Sequence, residues 1–239
     1  MTVTAPTHSV KVFADGADLA GIRQLAADPF IKGFTTNPTL MRQAGISDYE
    51  RFAHDVLDVI GDRPISFEVF SDDFDEMEKQ ARRIAAWGAN VFVKIPVGNT
   101  LGQSSESLVR RLADAGVQQN VTAVFTLDQT ERIVRCLADG PPANVSIFAG
   151  RIADAGVDPL PIMADAVAML ADHRHLELIW ASPREVLNIV QAHMVGCHII
   201  TVTHDLLKKL PALGKDLDVF SLETVQMFRR DAVSAGYAL

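Results

Sequence analysis

Cysteine is scarce in this chain, which has two cysteines in 239 residues. Cys136 and Cys197 show no pairing pattern and no Cys-x-x-Cys spacing, so we expect reduced thiols and no structural metal. The seven histidines are scattered, and His173 with His175 lies in a polar stretch without the helical spacing of a metal-ligand pair. These absences exclude a disulfide framework and give no support to a metal site.

An excess of positive charge and a long apolar run are also absent. The net charge is −8, and a phosphate backbone needs a basic face, so we expect no nucleic acid partner. A small phosphorylated ligand held by a few local cations stays open. No stretch is long and apolar enough for a membrane span, and Met1–Ser9 lacks the features of a signal peptide. We therefore expect no membrane partner and a cytoplasmic protein.

Short β-branched runs alternate with amphipathic helical stretches along the whole chain. This alternation is typical of βα units around a parallel sheet, and 239 residues suit one α/β barrel. The eight predicted strands are Val10–Asp15, Gly33–Asn37, Ile65–Phe70, Val91–Pro96, Val121–Thr126, Val145–Gly150, Leu176–Ser182 and His198–Thr203. We predict a single (β/α)8 TIM barrel over residues 1–239. An additional helix, Leu222–Ala235, would cover the barrel or reach a neighbouring subunit.

Lys94 stands inside the apolar fourth strand, where a lysine is unexpected. Burial favours the neutral amine of a lysine, which is a nucleophile able to form a Schiff base. An edge-strand lysine whose stem packs while its head reaches water is one alternative. A structural ion pair with Glu68 or Asp15 is another.

Parity along the strands tests these alternatives, because successive side chains of a strand point to opposite faces. If Lys94 points into the barrel, the polar positions that join it are Asp15, Thr35, Asn37, Glu68, Asn120, Thr122, Thr126, Ser146 and Ser182, together with Phe92, Pro96, Phe148 and Trp180. The outward sets are apolar: Val10, Val12, Ala14, Ile65, Phe67, Val69, Val91, Val93, Ile95, Val121, Ala123, Phe125, Val145, Ile147 and Ala149. Polar groups converging inside a barrel are costly unless they form a satisfied network or a site. The pattern favours a catalytic Lys94.

Two arginines follow neighbouring strands. Arg151 and Arg184 come just after the sixth and seventh strands, where they could clamp a phosphate. Ser182 would cap the next helix and Pro183 would open it, so that backbone N–H groups also face the anion. A solvated salt bridge is the alternative for each arginine.

The motifs resemble those of transaldolases. The run from Lys32 to Leu40 contains Thr-Thr-Asn-Pro, and Val93–Val97 is similar to the Schiff-base lysine strand of that family. The further matching motifs are Asn120-Val121-Thr122, Ser146–Ile152 and Ala181–Arg184, in the expected order. The resemblance runs from Asp15 to about Arg184 in motifs and over the whole chain in architecture.

The resemblance implies a class I mechanism without metal or cofactor, acting on sugar phosphates. Lys94 would form an imine with the ketose, and Asp15 would take the proton of the C4 hydroxyl. Glu68 and Thr122 would hold a proton-shuttling water. Asn37, Asn120 and Ser146 would hold hydroxyls of the dihydroxyacetone unit, with Thr35, Phe148 and Ser182 beside them and Arg151 and Arg184 on the phosphate.

Departures from the family pattern keep two activities open. The short chain matches the compact branch that includes fructose-6-phosphate aldolase, but Glu68 and Phe148 stand where that aldolase has glutamine and tyrosine. Asp15-Gly16 replaces the usual Asp-Thr, and Ser182-Pro183-Arg184 replaces Ser-Phe-Arg. We expect a transaldolase that is a homo-oligomer. The alternatives are an aldolase releasing free dihydroxyacetone and a non-catalytic barrel that only binds sugar phosphates.

Overall fold

The computed structural model describes residues 10–237, in which eight parallel strands close into a barrel in sequence order. The strands are β1 Lys11–Asp15, β2 Ile31–Thr35, β3 Ile65–Glu68, β4 Val91–Pro96, β5 Gln119–Val124, β6 Ala143–Ile147, β7 Leu176–Trp180 and β8 Ile199–Thr203. All eight predicted strands are confirmed, with ends that differ by at most three residues. The predicted (β/α)8 architecture is therefore correct.

Helices connect successive strands and cover the outside of the barrel, and two further helices follow β8. They are α1 Leu19–Ala26, α2 Pro38–Gln43, α3 Tyr49–Ile60, α4 Phe74–Ala85, α5 Glu106–Asp114, α6 Leu127–Leu137, α7 Ala149–Asp154, α8 Pro159–Leu170, α9 Leu187–Met194, α10 His204–Leu207 and α11 Leu217–Ser234, with a 3₁₀ turn at Leu210–Ala212. No helix within residues 10–237 combines the length and the apolar character that crossing a bilayer requires.

The main core lies between the strands and the helices. Val91, Val93 and Ile95 of β4 are fully buried there, as their outward parity predicts. Each such side chain contributes about 1.5–3 kcal/mol relative to an exposed one. The outer faces of β3 and β6 are buried in the same layer. This continuous apolar surface fixes which residues of each strand are left to face the barrel interior.

A second, smaller apolar cluster lies inside the barrel and consists of Phe13, Ile179 and Ile199. A Cβ at Gly33 would lie 2.5 Å from Cζ of Phe13, so the glycine leaves room for the phenyl ring. Phe13 precedes Asp15 by one inward step on β1. This apolar cluster lies below the level of Asp15, and the polar side chains of the cavity lie towards the carboxyl ends of the strands.

The predicted inward position of Trp180 is wrong. Ser146 of β6 pairs with Ile179, and Ile147 pairs with Trp180. Since Ser146 faces the interior, Ile179 does so as well, and the indole of Trp180 is buried in the outer core. The register between neighbouring strands decides the orientation, and the alternation of polarity within β7 did not reveal it.

A β-bulge at the end of β5 overturns the predicted parity there. Val121 pairs with Val145, but the next pair is Val124 with Ile147, and Ala123 has a φ of 59°. The extra residue makes Val124 the outward position in place of Ala123 and Phe125, and Ala123 contacts the interior cavity. The prediction that Thr126 faces the barrel is also wrong, because its hydroxyl caps α6.

Helix α11 is longer than the predicted Leu222–Ala235, and it does not cover the barrel. No side chain along its 18 residues is buried. Its exposed apolar side chains are Leu217, Val219, Phe220, Leu222, Val225, Met227, Phe228 and Val233. A helix with this many exposed apolar side chains is typical of a protein interaction site.

Candidate active site

A cavity of about 470 Å³ opens at the carboxyl ends of the strands. It collects eleven of the twelve side chains singled out from the sequence, and Arg184 is the exception. The eleven are Asp15, Thr35, Asn37, Glu68, Lys94, Asn120, Thr122, Ser146, Phe148, Arg151 and Ser182. The wall also includes Pro38, Thr39, Leu40, Gln43, Ala123, Ala181 and Thr201, which the sequence analysis did not single out. Parallel strands bring these distant segments together because their carboxyl ends meet at one rim.

Lys94 is 7% exposed, and its amine faces the cavity. Nζ donates a hydrogen bond to the carbonyl oxygen of Thr36 at 2.9 Å and lies 3.4 Å from Oε2 of Glu68. Glu68 and Lys94 are directly paired across β3 and β4. The alternative of an edge lysine with its head in bulk water is therefore wrong.

Tyr49, which the sequence analysis missed, holds the backbone of Glu68 from outside the barrel. Its hydroxyl donates to the Glu68 carbonyl at 2.9 Å and accepts from the Glu68 N–H at 2.8 Å. Burial raises the pKa of the Tyr49 phenol well above its ordinary value. The neutral phenol thus stabilises the end of β3 beside Lys94. A tyrosine at the start of a helix gave no signal for this contact.

Asp15 is held by hydroxyl groups on the opposite side of the cavity. Thr35 Oγ1 donates to Oδ1 of Asp15 at 2.7 Å, and Thr35 also bonds to the hydroxyl of Thr201 on β8. Burial raises the pKa of the Asp15 carboxyl, while Lys94, Thr35 and the neighbouring His204 act in the opposite direction. A carboxyl with a raised pKa is suited to proton transfer nearer to neutral pH.

His204, also missed from the sequence, lies at the start of α10 next to the segment that follows Asp15. A Cβ at Gly16 would lie 2.9 Å from Nε2 of His204, and a Cβ at Gly21 would lie 2.5 Å from its ring. The two glycines leave room for the imidazole. Burial lowers the pKa of His204, which favours the neutral ring. In the sequence, the sign of this contact was Gly16, which follows Asp15 where the family usually has threonine.

A chain of side-chain hydrogen bonds crosses three strands. Ser146 Oγ donates to Oδ1 of Asn120 at 2.7 Å, and Nδ2 of Asn120 donates to Ser66 Oγ at 2.9 Å. Ser66 shares the parity of Glu68, so the alternation rule could have identified it. Thr122 Oγ1 is buried in the same wall and has no hydrogen-bond partner within the described chain. Its hydroxyl can therefore bind a ligand or water.

Asn37 begins the short helix at the cavity rim. Its Oδ1 accepts from the N–H of Leu40 at 3.0 Å, so the residue caps α2, and Pro38 occupies the first helical position. Asn37 and Pro38 therefore have the local role of starting a helix. Because Asn37 also lines the cavity, its amide remains available to a ligand.

Arg151 lies in the wall of the cavity at the start of α7. Its guanidinium lies over the ring of Phe148, 5.2 Å from the centroid, and Phe148 in turn contacts Phe125 at a centroid distance of 5.8 Å. An arginine over an aromatic face is held by a cation–π attraction. The cavity wall thus places the cation of Arg151 beside the apolar ring of Phe148.

Arg184 makes the salt bridge that was the alternative to phosphate binding. Its Nε lies 3.0 Å from both carboxylate oxygens of Asp154, its Nη2 also donates to Asp154, and its Nη1 donates to Ser182 Oγ at 3.0 Å. The hydrogen bonds from Arg184 lower the pKa of Asp154, and those to Asp154 raise the pKa of Arg184. Arg184 touches the cavity through Ser182.

The prediction that Ser182 caps a helix and Pro183 opens it is wrong. Helix α9 begins at Leu187, after an irregular segment, so no helix N-terminus faces the cavity at Ser182. Ser182 has a φ of 61°, and a Cβ at Gly150 would lie 1.6 Å from its carbonyl oxygen. This close approach requires glycine at position 150. It fixes the loop that carries Arg184 against the helix that carries Arg151.

Comparisons with known proteins agree with this architecture. Residues 12–237 match the family described as Transaldolase/Fructose-6-phosphate aldolase. A "probable transaldolase" of Dehalococcoides mccartyi is 34% identical over 204 residues, covering 84% of this chain and 90% of that protein. A "probable transaldolase" of Streptococcus agalactiae is 32% identical over 222 residues, covering 88% and 95%.

A crystal structure of a protein from Burkholderia cenocepacia J2315 superimposes with a TM-score of 0.60 at 14% identity. It covers 95% of this chain and 86% of that protein, and it supports the barrel fold alone. The family match extends over nearly all of the described residues. The chain belongs to the transaldolase/fructose-6-phosphate aldolase family.

Proposed function

We propose that this protein is a transaldolase that transfers a dihydroxyacetone unit between sugar phosphates through a Schiff base on Lys94. The donor is fructose 6-phosphate or sedoheptulose 7-phosphate, and the acceptor is an aldose phosphate. The observation that carries the proposal is the buried amine of Lys94, which faces the cavity 3.4 Å from Glu68. No other lysine among the described residues lines this cavity.

The first stage is formation of the imine. The neutral amine of Lys94 attacks the ketose carbonyl, and the resulting carbinolamine loses water to give a protonated imine. This sequence needs proton transfers to and from oxygen. The carboxylate of Glu68 and the unpartnered hydroxyl of Thr122 would hold a water that carries those protons.

The second stage breaks the C3–C4 bond. Asp15 accepts the proton of the C4 hydroxyl, the C4 oxygen forms the aldehyde carbonyl, and the bonding electron pair moves into the protonated imine. The aldehyde leaves and an enamine stays on Lys94. The same steps in reverse join C3 to an acceptor aldehyde, with Asp15 returning its proton, and hydrolysis of the final imine releases the new ketose.

Hydroxyl and phosphate recognition would use the rest of the wall. Asn37, Asn120, Ser146 and Thr35 present amide and hydroxyl groups around Lys94, where they would orient the dihydroxyacetone unit. The phosphate would bind at the edge formed by Arg151, Ser182 and Arg184, because guanidinium groups match the geometry of phosphate oxygens.

A fructose-6-phosphate aldolase is the second candidate, favoured by the compact chain. It would release free dihydroxyacetone, which requires protonation of the enamine before hydrolysis. Phe148 argues for the transferase, because a phenyl ring in the wall offers no proton and excludes water from that corner. A third candidate, a barrel that only binds sugar phosphates, has no need for the buried set of Lys94, Glu68 and Asp15.

We also propose that the enzyme works in the cytoplasm as a homo-oligomer, with small sugar phosphates as partners and neither nucleic acid nor membrane. The exposed apolar side chains of α11 support association with another copy of the chain. The two free thiols, Cys136 and Cys197, support a reducing compartment. The net charge of −8 argues against nucleic acid.

An assay of fructose 6-phosphate with and without erythrose 4-phosphate tests the proposed reaction. The native protein should consume the ketose slowly alone and rapidly when the acceptor is added, and Phe148→Tyr should increase the release of free dihydroxyacetone. Fast release by the native protein without acceptor would make it an aldolase. If the protein binds sugar phosphate but shows no turnover under either condition, the remaining candidate is a barrel that only binds sugar phosphates.

A further inference from the structure

We propose that Asp154 is a positioning residue that aims Arg184 and Ser182 at the phosphate of the substrate. The inference rests on the proposed function for the identity of the substrate. Its structural basis is the contact between the end of α7 and the irregular segment after β7. Asp154 itself does not line the cavity.

The hydrogen bonds of Arg184 show how the side chain is oriented. A guanidinium has five N–H donors in a fixed plane. Asp154 takes the edge formed by Nε and Nη2, and Ser182 Oγ takes one donor of Nη1. One N–H of Nη1 and one of Nη2 make no hydrogen bond within the described chain. Asp154 thus holds one edge of the guanidinium and leaves two N–H donors for an anion.

Ser182 transmits this arrangement to the cavity. Its hydroxyl oxygen accepts from Nη1 of Arg184 at 3.0 Å, so the hydroxyl hydrogen is available to donate. Ser182 lines the cavity, as does Arg151. An anion in that corner could accept hydrogen bonds from the Ser182 hydroxyl and an uncommitted N–H of Arg184 on one side, and from the guanidinium of Arg151 on the other.

A single short helix coordinates the two arginines. Arg151 and Asp154 are three residues apart on α7, so they are neighbours on one face of the helix. Gly150, on the same helix, contacts the backbone of Ser182 closely. The helix therefore places Arg151 directly and Arg184 through Asp154, and the spacing of the two cations does not depend on two independent flexible side chains.

The negative charge of Asp154 also opposes phosphate binding, and the two effects must be compared. The Asp154 and Arg184 side chains are 52% and 45% exposed, so solvent screens the repulsion between Asp154 and an anion. Fixing a long arginine side chain before the ligand arrives removes an ordering cost from binding. We therefore expect orientation to outweigh repulsion.

The test compares Asp154→Asn and Asp154→Glu with the native enzyme. Asn keeps the size of the side chain but loses the charge-assisted pair, and it should raise KM for fructose 6-phosphate about tenfold with little change in kcat or in kcat/KM for unphosphorylated fructose. Glu should recover part of the loss. Glu131→Gln removes another exposed ion pair, with Arg135 on α6, and should change none of these values.

Binding of inorganic phosphate gives a readout that does not need turnover. Calorimetry should show weaker binding to Asp154→Asn by a similar factor, at low ionic strength. Tighter binding would show that Asp154 competes with phosphate, and unchanged binding would show that it has no role; either result overturns the proposal. If the native protein binds phosphate in an Asp154-dependent way but never turns over, the proposed function fails and this inference stands.

Discussion

The cavity has two halves that differ in burial, and in the proposed mechanism the difference separates chemistry from recognition. In one half Lys94, Glu68 and Asp15 face one another inside the barrel, with Lys94 at 7% exposure. In the other half Arg151 and the ion pair of Arg184 with Asp154 lie at the rim, with side chains about half exposed in the pair. Both halves bring opposite charges together, but only the buried half does so at a high cost to folding.

The physical reason is the cost of desolvation. Removing a charge from water costs several kcal/mol, which a partner only partly repays, whereas an exposed ion pair is worth about 0–1 kcal/mol. The structure stabilises the buried half with Tyr49 and with hydroxyl donors such as Thr35. Changes in the buried half should therefore alter the reaction itself, and changes at the rim should alter the affinity for phosphate.

Asp15→Asn should have the largest effect on the rate among these predictions. The amide keeps the shape but cannot accept the C4 proton, so kcat should fall by about 10²–10⁴. Imine formation precedes that step, so borohydride should still trap the intact sugar on the variant. Asp55→Asn, at an exposed position of α3, is the matched control. Native activity in Asp15→Asn would show that Asp15 is not the acceptor of the C4 proton.

Arg151→Ala should have an intermediate effect that is confined to phosphorylated substrates. A hydrogen bond to a charged group is worth about 1.5–3 kcal/mol, which corresponds to a rise in KM of about 10–100-fold. Steady-state kinetics with fructose 6-phosphate and fructose measure the difference, and Arg135→Ala controls for the loss of a surface cation. Equal losses on both sugars would assign Arg151 a structural role.

Asp15→Asn should also stabilise the fold, by a small amount. Burial raises the pKa of Asp15 in the folded state, so its ionisation destabilises the protein once the pH exceeds the unfolded value of about 3.9. This loss of stability grows as the pH rises from the pKa of Asp15 in the unfolded chain to its pKa in the folded protein. It has its full size at higher pH. The variant should therefore have a higher melting temperature than the native protein at pH 7.

The gain in melting temperature should disappear below about pH 4, where Asp15 is protonated in both states of the native chain. Thermal unfolding followed by circular dichroism at pH 7 and at about pH 3 measures it. A lower melting temperature at pH 7 would show that the carboxylate supports the fold, and the contrast between the two halves of the cavity would then lose its energetic basis.

The barrel and most of the cavity could be predicted from the sequence because both depend on regular periods. Strands buried on one face and polar on the other assign side chains with a period of two. The same rule, applied fully, would also have found Ser66. It failed where the regularity ends: the bulge at Ala123 adds one residue, and the register of β7 turns Trp180 outward.

The rim of the cavity was harder to predict because it depends on loop conformations and long-range contacts. The left-handed backbone of Ser182 and the close approach of Gly150 have no periodic signature. The pairing of Arg184 with Asp154 joins segments thirty residues apart. Two arginines after neighbouring strands indicated an anion site, but the sequence did not show which of them is already engaged by a carboxylate.

The central claim is that the buried amine of Lys94 forms the covalent intermediate, and borohydride trapping tests it most directly. After incubation with fructose 6-phosphate and reduction, peptide mass mapping should place a three-carbon adduct, or the intact sugar, on the peptide that contains Lys94. Lys94→Arg should give no adduct. A label on another lysine, or turnover of fructose 6-phosphate without any label on the native protein, would contradict the account.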